Sequence, residues 1–293
     1  MRSIEHPGPV HPTRVHCVPA TVRTVEVELP SGVTLLQGLA NAVQAQGATS
    51  AVFSLHGGTL APMVFVMPAL SASPKHVAYF SERFEAHGSA RIESGSITYG
   101  LRDGEPSLHC HATWIESDGR RRSGHVLAAE SRVDLPVRLE AWMLDGAAFE
   151  VAPDAETGFP LLQVSADAHR SGSTNALVVR VRPNQDLCLA LEELCAERNI
   201  RRGWIRGGVG SLIGAVFEDG RTVEPFVTEV FIRGGVIEPG VDGMPRAELD
   251  IGLVAHTGEI AEGRLERGQN PVLITFELVI EVQEAAPHAE QNS

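Results

Sequence analysis

Three histidines carry the chemistry this sequence offers first. His109 and His111 stand two apart in the alternating run LHCHATWI, and His125 follows in SGHV beyond Asp118-Gly119. Residues two apart on a strand share a face, so these two imidazoles project together while Cys110 points the other way. Asp-Gly is a strong hairpin signal, and a return there predicts His125 across from the His109/His111 face. Three imidazoles on one patch of sheet are the donor set of a metal site. Zinc takes histidine nitrogen at about 2.0–2.1 Å, and catalytic zinc often keeps three protein ligands and one open position. Copper, iron and nickel suit imidazole as well. The competing reading of the same residues is a polar sheet surface whose histidines bond to backbone and water.

A three-histidine metal with an open position lowers the pKa of bound water to about 7 or polarises a carbonyl. That chemistry needs assistants, and the candidates are Glu93, His56 and Tyr99. Glu93, on the strand before the hairpin, is placed as a general base and as the first choice to meet a ligand ring's second nitrogen. His56 precedes Gly57-Gly58, where backbone can approach a ligand. Arg206, before Gly207-Gly208, can hold a substrate carboxylate or pair with one of 37 acidic groups. Gly207-Gly208-Val209-Gly210 lacks the Lys-Ser/Thr of a P-loop. No Gly-x-Ser-x-Gly elbow is present.

The elements that must position these residues fall into two halves with one plan. In the first, Thr21 to Leu29 alternates as a strand, and Ser31 is a possible N-cap for a helix over Val33 to Gln46, which Gly47 ends. Strands follow at Thr49 to Leu55 and Arg91 to Tyr99, then the histidine hairpin, then Val137 to Leu144. The second half repeats this: strand Ala176 to Val181, a helix stripe Leu187, Leu191, Leu194 and Cys195, and strands at Gly203 to Arg206, Phe226 to Ile232 and Ala247 to Ala255. Glu259 to Leu265 is the return and Val272 to Val282 the closing strand. Leu60 aligns with Leu212 at an offset of 152, Gly95 with Gly235 at 140 and Gly119 with Gly258 at 139. The reading is an internal duplication with a longer insertion after Leu60, giving tandem domains rather than a solenoid. The expected organisation is an arm over 1–20, a first domain over 21–150, a linker over 151–174, a second domain over 175–283 and a tail over 284–293. Each domain reads as α/β in the broad sense, an α+β unit of curved, mostly antiparallel sheet with one packed helix.

Composition narrows the class. Apolar residues make up 43% and charged residues 21% of 293, as in a soluble globular protein. The longest apolar stretch, near Ala61 to Leu70, is interrupted by Pro62 and Pro68, so no membrane span is expected. The four cysteines form no CxxC pair, and Cys188 and Cys195 share a helix face as core thiols. With no apolar leader at the N-terminus, a reducing cytoplasm is the expected setting. The formal charge of −13 repels nucleic acid. Arg120-Arg121-Arg122, the one basic run, sits at the hairpin tip.

RIESGSITYGLRDGEPS followed by LHCHATWIESDGRRRSGHV resembles the Plants and Prokaryotes Conserved family, the PCC or PPC domain (DUF296). In the second half, TEVFIRGGVI, LDIGLVAHTGEIAEGRL and GGVGSL resemble the same places. The resemblance implies a mostly antiparallel α/β fold, assembly as trimers, and zinc held by His109, His111 and His125. Plant relatives bind DNA through added AT-hooks, and this chain has no Arg-Gly-Arg-Pro hook. At the 139 offset the histidines become Glu248, Asp250 and Arg264, so the second half is expected to be vacant of metal: either a structural copy, which in a trimer would wall a neighbouring first-half site, or a paired network of another use.

Three functions follow from these readings. One is a metal-dependent enzyme, a hydrolase or lyase, acting on a small oxygen-rich molecule. Another is a DNA-associated regulator, which a salt-dependent DNA complex would reveal. The third is a ligand sensor without turnover.

Overall fold

The computed structural model describes residues 1–167 and 173–283. It is built from mostly antiparallel sheet and two 11-residue helices, Leu35–Ala45 and Leu187–Glu197. Apart from one parallel bridge between Glu150 and Leu101, the strand pairings among the described residues are antiparallel.

In the first half, Val15–Leu29 pairs with Val137–Asp145, which pairs with Ser50–Leu55, then Ala90–Arg102, Glu105–Ile115 and Arg121–Val126. In the second half, Val15–Leu29 pairs with Ala176–Val181, then Val272–Val282, Gly203–Val216, Thr222–Pro239, Pro245–Ala255 and Ile260–Arg264 follow. From the closing strand outward the order of elements is the same in both halves. Val15–Leu29 is shared: residues 15–20 face Ala176–Val181 and residues 21–29 face Val137–Asp145. One strand thus ties both sheets together.

Each helix covers the outer face of its own sheet. Leu35, Leu39 and Val43 pack with Ile97, Tyr99, Cys110 and Trp114. Leu187, Leu191 and Cys195 pack with Val230, Leu249 and Phe276. The inner faces of the two sheets meet through Val22, Val52, Trp142, Phe149, Val178 and Val279. Close approach there demands glycine at 207: its φ is +63°, and a Cβ on it would lie 2.6 Å from Val52 Cβ.

Several boundaries differ from the sequence reading. Thr34, not Ser31, caps the first helix, its side chain accepting from Gln37 N–H at 3.1 Å; such a cap stabilises by about 1 kcal/mol. Asp186 does the same for Leu189 N–H at 2.9 Å. The expected arm over 1–20 ends at Val15, where the shared strand begins. The arm is also held down: buried His6 bonds the Leu273 carbonyl at 2.8 Å, and Arg14 forks onto Glu156 at 2.8 and 2.9 Å. Most of the expected linker is a hairpin, Ala147–Pro153 with Pro160–Ala166. Two of its acidic residues, Asp154 and Glu156, are buried. Asp154 takes Arg180 at 2.9 Å and Arg182 at 2.6 Å, with Arg180 wholly buried. Residues 168–172 of that linker and the expected tail over 284–293 lie outside the described residues. No helix is long and apolar enough to cross a membrane among the described residues.

Candidate metal centre

Register builds the centre. Ser96 faces His111 and Thr98 faces His109 across one strand pair, and His125 faces His111 across the next. The alternate set, Ile97, Tyr99, Cys110 and Ala112, turns to the helix and the core. The histidines therefore occupy the inner face, against the second sheet. Their ligand nitrogens lie within 4.8 Å of one another. His109 Nε2 is 3.1 Å from His111 Nε2, and His125 Nδ1 is 3.3 Å from it. Tetrahedral bonds of about 2.05 Å place neighbouring nitrogens roughly 3.3 Å apart, so the donor set fits a zinc-sized ion.

The second nitrogens are engaged by the second half. His109 Nδ1–H donates to Glu277 Oε2 at 3.0 Å, and His111 Nδ1–H donates to the Val230 carbonyl at 3.0 Å. Each bond fixes a tautomer that leaves Nε2 free to ligate. Burial, then the neighbouring histidines, hold His111 well below its ordinary pKa, against the pull of the Val230 carbonyl. Burial and His109 lower His125 to about 3. Both rings are neutral near pH 7, as metal ligands must be.

Behind Glu277 runs a buried chain of polar contacts. Thr275 Oγ1–H donates to Glu277 Oε1 at 3.2 Å, and Arg180 Nε–H donates to Thr275 Oγ1 at 3.0 Å. Arg180 then reaches Asp154 and Gln163. A cavity of about 360 Å³ opens over the histidines, and Glu229 lines it. Glu229 is 5% exposed, and neither carboxyl oxygen has a hydrogen-bond partner. Burial raises its pKa well above the usual carboxylate value, against the nearby His125 backbone N–H. Burial thus favours its neutral form.

The structure brings His109, His111 and His125 together, and places the other candidates elsewhere. Glu93 sits where the Ala90–Arg102 ladder shifts register between Ile92 and Ser94. A bulge re-aims a side chain, and Glu93 takes Arg121 at 2.5 Å instead of a histidine. Glu277 fills the role expected of Glu93. His56 lines the same charged cleft as Glu93, Arg121, Arg233 and Asp250, away from the histidines. Tyr99 is 4% exposed in the helix-side core, opposite Leu108. Arg206 bonds Glu281 at 2.6 Å and lies over Trp142 and Trp204, 4.9 and 5.0 Å from their ring centroids. In the second half, Asp250 faces Arg264 as His111 faces His125, and Arg264 pairs with Glu248 at 2.9 Å. A paired guanidinium there opposes a cation.

Glu277, Glu229 and Arg180 escaped the sequence reading, although a signal existed. Each is a lone charge inside an apolar strand, in TFELVI, TEVFI and LVVRV. Charged residues are seldom buried without a partner or a task.

Fold and geometry define a β-rich protein with a three-histidine candidate metal centre between two sheets. Residues 18–141 match the family model of the Plants and Prokaryotes Conserved (PCC) domain. That span contains all three histidines. Among solved structures, the chain is similar to a plant- and prokaryote-conserved protein of Pyrococcus horikoshii, at 22% identity and TM-score 0.40, over 49% of this chain and 94% of that one. A metal-containing protein of Archaeoglobus fulgidus is similar at 20% identity and TM-score 0.39, over 48% and 93%. A Ralstonia eutropha protein, whose name proposes DNA binding, is similar at 16% identity and TM-score 0.36, over 48% and 90%. No curated protein matches the chain.

Proposed function

We propose that this chain holds one zinc ion on His109, His111 and His125, and uses it to bind or transform a small molecule in the adjoining pocket. The observation that carries this reading is the convergence of three imidazole nitrogens at 3.1 and 3.3 Å spacings, with the outer nitrogens of His109 and His111 tied down. Bound there, zinc would supply Lewis acidity and an activated water. The chain's own part is orientation and proton exchange. Glu277 and the Val230 carbonyl fix two rings, and Glu229 presents an unpartnered carboxyl to the cavity.

In this reading the two halves are tandem PCC-like units, about 21–150 and 175–283, the second serving as the wall of the first one's site. The matching strand order supports it. The family resemblance supports assembly as three such chains, a particle of three times 31.4 kDa that light scattering would detect. The central test is elemental analysis after zinc loading and desalting. One zinc per chain, absent after His111→Ala, supports the reading; a zinc-free wild type ends it.

A further inference from the structure

The first half departs from the plan it shares with the second in two places, and both meet at the histidine pocket. One is the insertion after Leu60, where Pro68–Leu70 and Ala78–Phe80 pair with each other and with no other strand. The other is the hairpin Ala147–Pro153 with Pro160–Ala166. Together they hang aromatic rings over the cavity. Phe80 lies 5.2 Å from His125 and Tyr79 lies 6.0 Å from Phe159, centroid to centroid. His76 pins the two additions to each other, with its ring 4.2 Å from Phe159 and its Nδ1 3.3 Å from the Thr157 carbonyl. Tyr79 and Phe80 are nonetheless 53% and 42% exposed.

Beneath these rings the walls are aliphatic, with Leu108, Leu162, Val227 and Leu273 among them. The ionisable groups gather at the histidines, Glu229 and Glu277, apart from Arg102. The cleft beside Asp250, lined by residues of both halves, is different. Charged groups dominate its lining, which holds no Phe, Tyr or Trp. The aromatic roof over the histidines comes from these two segments and not from the strands whose order the halves share.

We propose that the pocket takes a small molecule with an aromatic or similarly apolar body and one oxygen-bearing end, the end at the histidines and the body against Tyr79, Phe80 and Phe159. This deepens the proposed function and rests on it. An oxygen end suits the metal and Glu229, and an apolar body buries against rings now facing water. An oxygen-rich body, as expected from the sequence, would find hydroxyls at Ser107, Ser211, Thr228 and Thr275 but would also press polar atoms against the aliphatic part of the wall. A volume of about 360 Å³ accommodates a substituted ring.

The test is calorimetric titration of zinc-loaded protein with benzohydroxamate and acetohydroxamate, which share a metal-binding head and differ in body. Benzohydroxamate is expected to bind about tenfold tighter or more, a gap of roughly 1.4 kcal/mol. Tyr79→Ala and Phe159→Ala should shrink that ratio while leaving acetohydroxamate affinity unchanged. Tyr79 is exposed enough for its variant to keep the fold. Equal affinities in wild type, or zinc retained with neither compound bound, overturn the aromatic-body inference and leave the metal centre standing. Failure to retain zinc overturns the metal reading and this inference with it.

Discussion

His109 meets Glu277 at 3.0 Å across 168 residues of chain, so a metal-ligand candidate in one half is oriented by a carboxylate in the other. The contact gives the second half a part in this site although it lacks the histidines. Its task at this site is to present Glu277, the Val230 carbonyl and Glu229 to the inner face of the first sheet. Removing an outer partner of a metal-bound histidine typically costs about 10–100-fold in affinity. Glu277→Ala should therefore weaken zinc binding by that factor in a chelator competition. Glu277→Gln, which keeps an acceptor oxygen, should lose less. Equal affinity in all three proteins would remove Glu277 from the site.

Glu229 makes an opposite prediction for stability. Its pKa is raised in the folded protein by burial, whereas the unfolded chain ionises near 4.3. A raised carboxyl stabilises fully below the unfolded value, and that contribution is lost as pH climbs towards the folded one. Glu229→Gln removes the penalty. In metal-free protein the variant should melt higher than wild type at pH 8, with the difference shrinking towards pH 5. A difference independent of pH would show that the carboxyl is solvated.

Asp154 neutralises Arg180, which is wholly buried, and touches Arg182 at 2.6 Å. Breaking a buried pair from one side costs about 3–5 kcal/mol because the other charge stays behind. Asp154→Ala should shift urea unfolding by an amount in that range. It should also weaken zinc binding modestly, through Arg180, Thr275 and Glu277. A loss below about 1 kcal/mol, the scale of surface pairs, would mean that water reaches Arg180.

The histidine cluster was legible because it depends on period and turn alone. His109 and His111 share a strand face, and Asp118-Gly119 returns His125 to it. The succession of these strands along the chain was legible for the same reason. What joins the halves was not, because an inner sheet face looks like any other apolar alternation until its partner is known. Glu93 illustrates the failure: a one-residue shift at Ile92/Ser94, invisible in the sequence, turned it towards Arg121. Asp154 illustrates another. Its run of Pro and acidic residues resembles a solvated linker, and only the partner strand carrying Arg180 makes it a buried turn.

The metal itself supplies the last prediction. Among the described residues the three-histidine donor set lies in the first half, and Arg264 pairs with Glu248 at the matching place in the second. Wild type should bind one zinc per chain, and His109→Ala and His125→Ala should each lose it; two per chain would show that Glu248 and Asp250 ligate after all. The metal-free protein should also report the histidines through pH. His125 is lowered to about 3 and His111 lies well below its ordinary value, while both titrate near 6.5 when unfolded. Below that pH the unfolded chain binds more protons than the folded one, so stability falls with acidification. In the Glu229→Gln background, which removes the opposing carboxyl, the melting temperature of metal-free protein should therefore drop between pH 7.5 and 5.5, and adding His125→Gln should lessen the drop. Zinc, which needs the neutral rings, should oppose that loss most strongly at the upper end of the range. A melting temperature that is flat from 7.5 to 5.5 in metal-free Glu229→Gln protein would mean that these rings already titrate as they do in water, and that the second sheet does not enclose them.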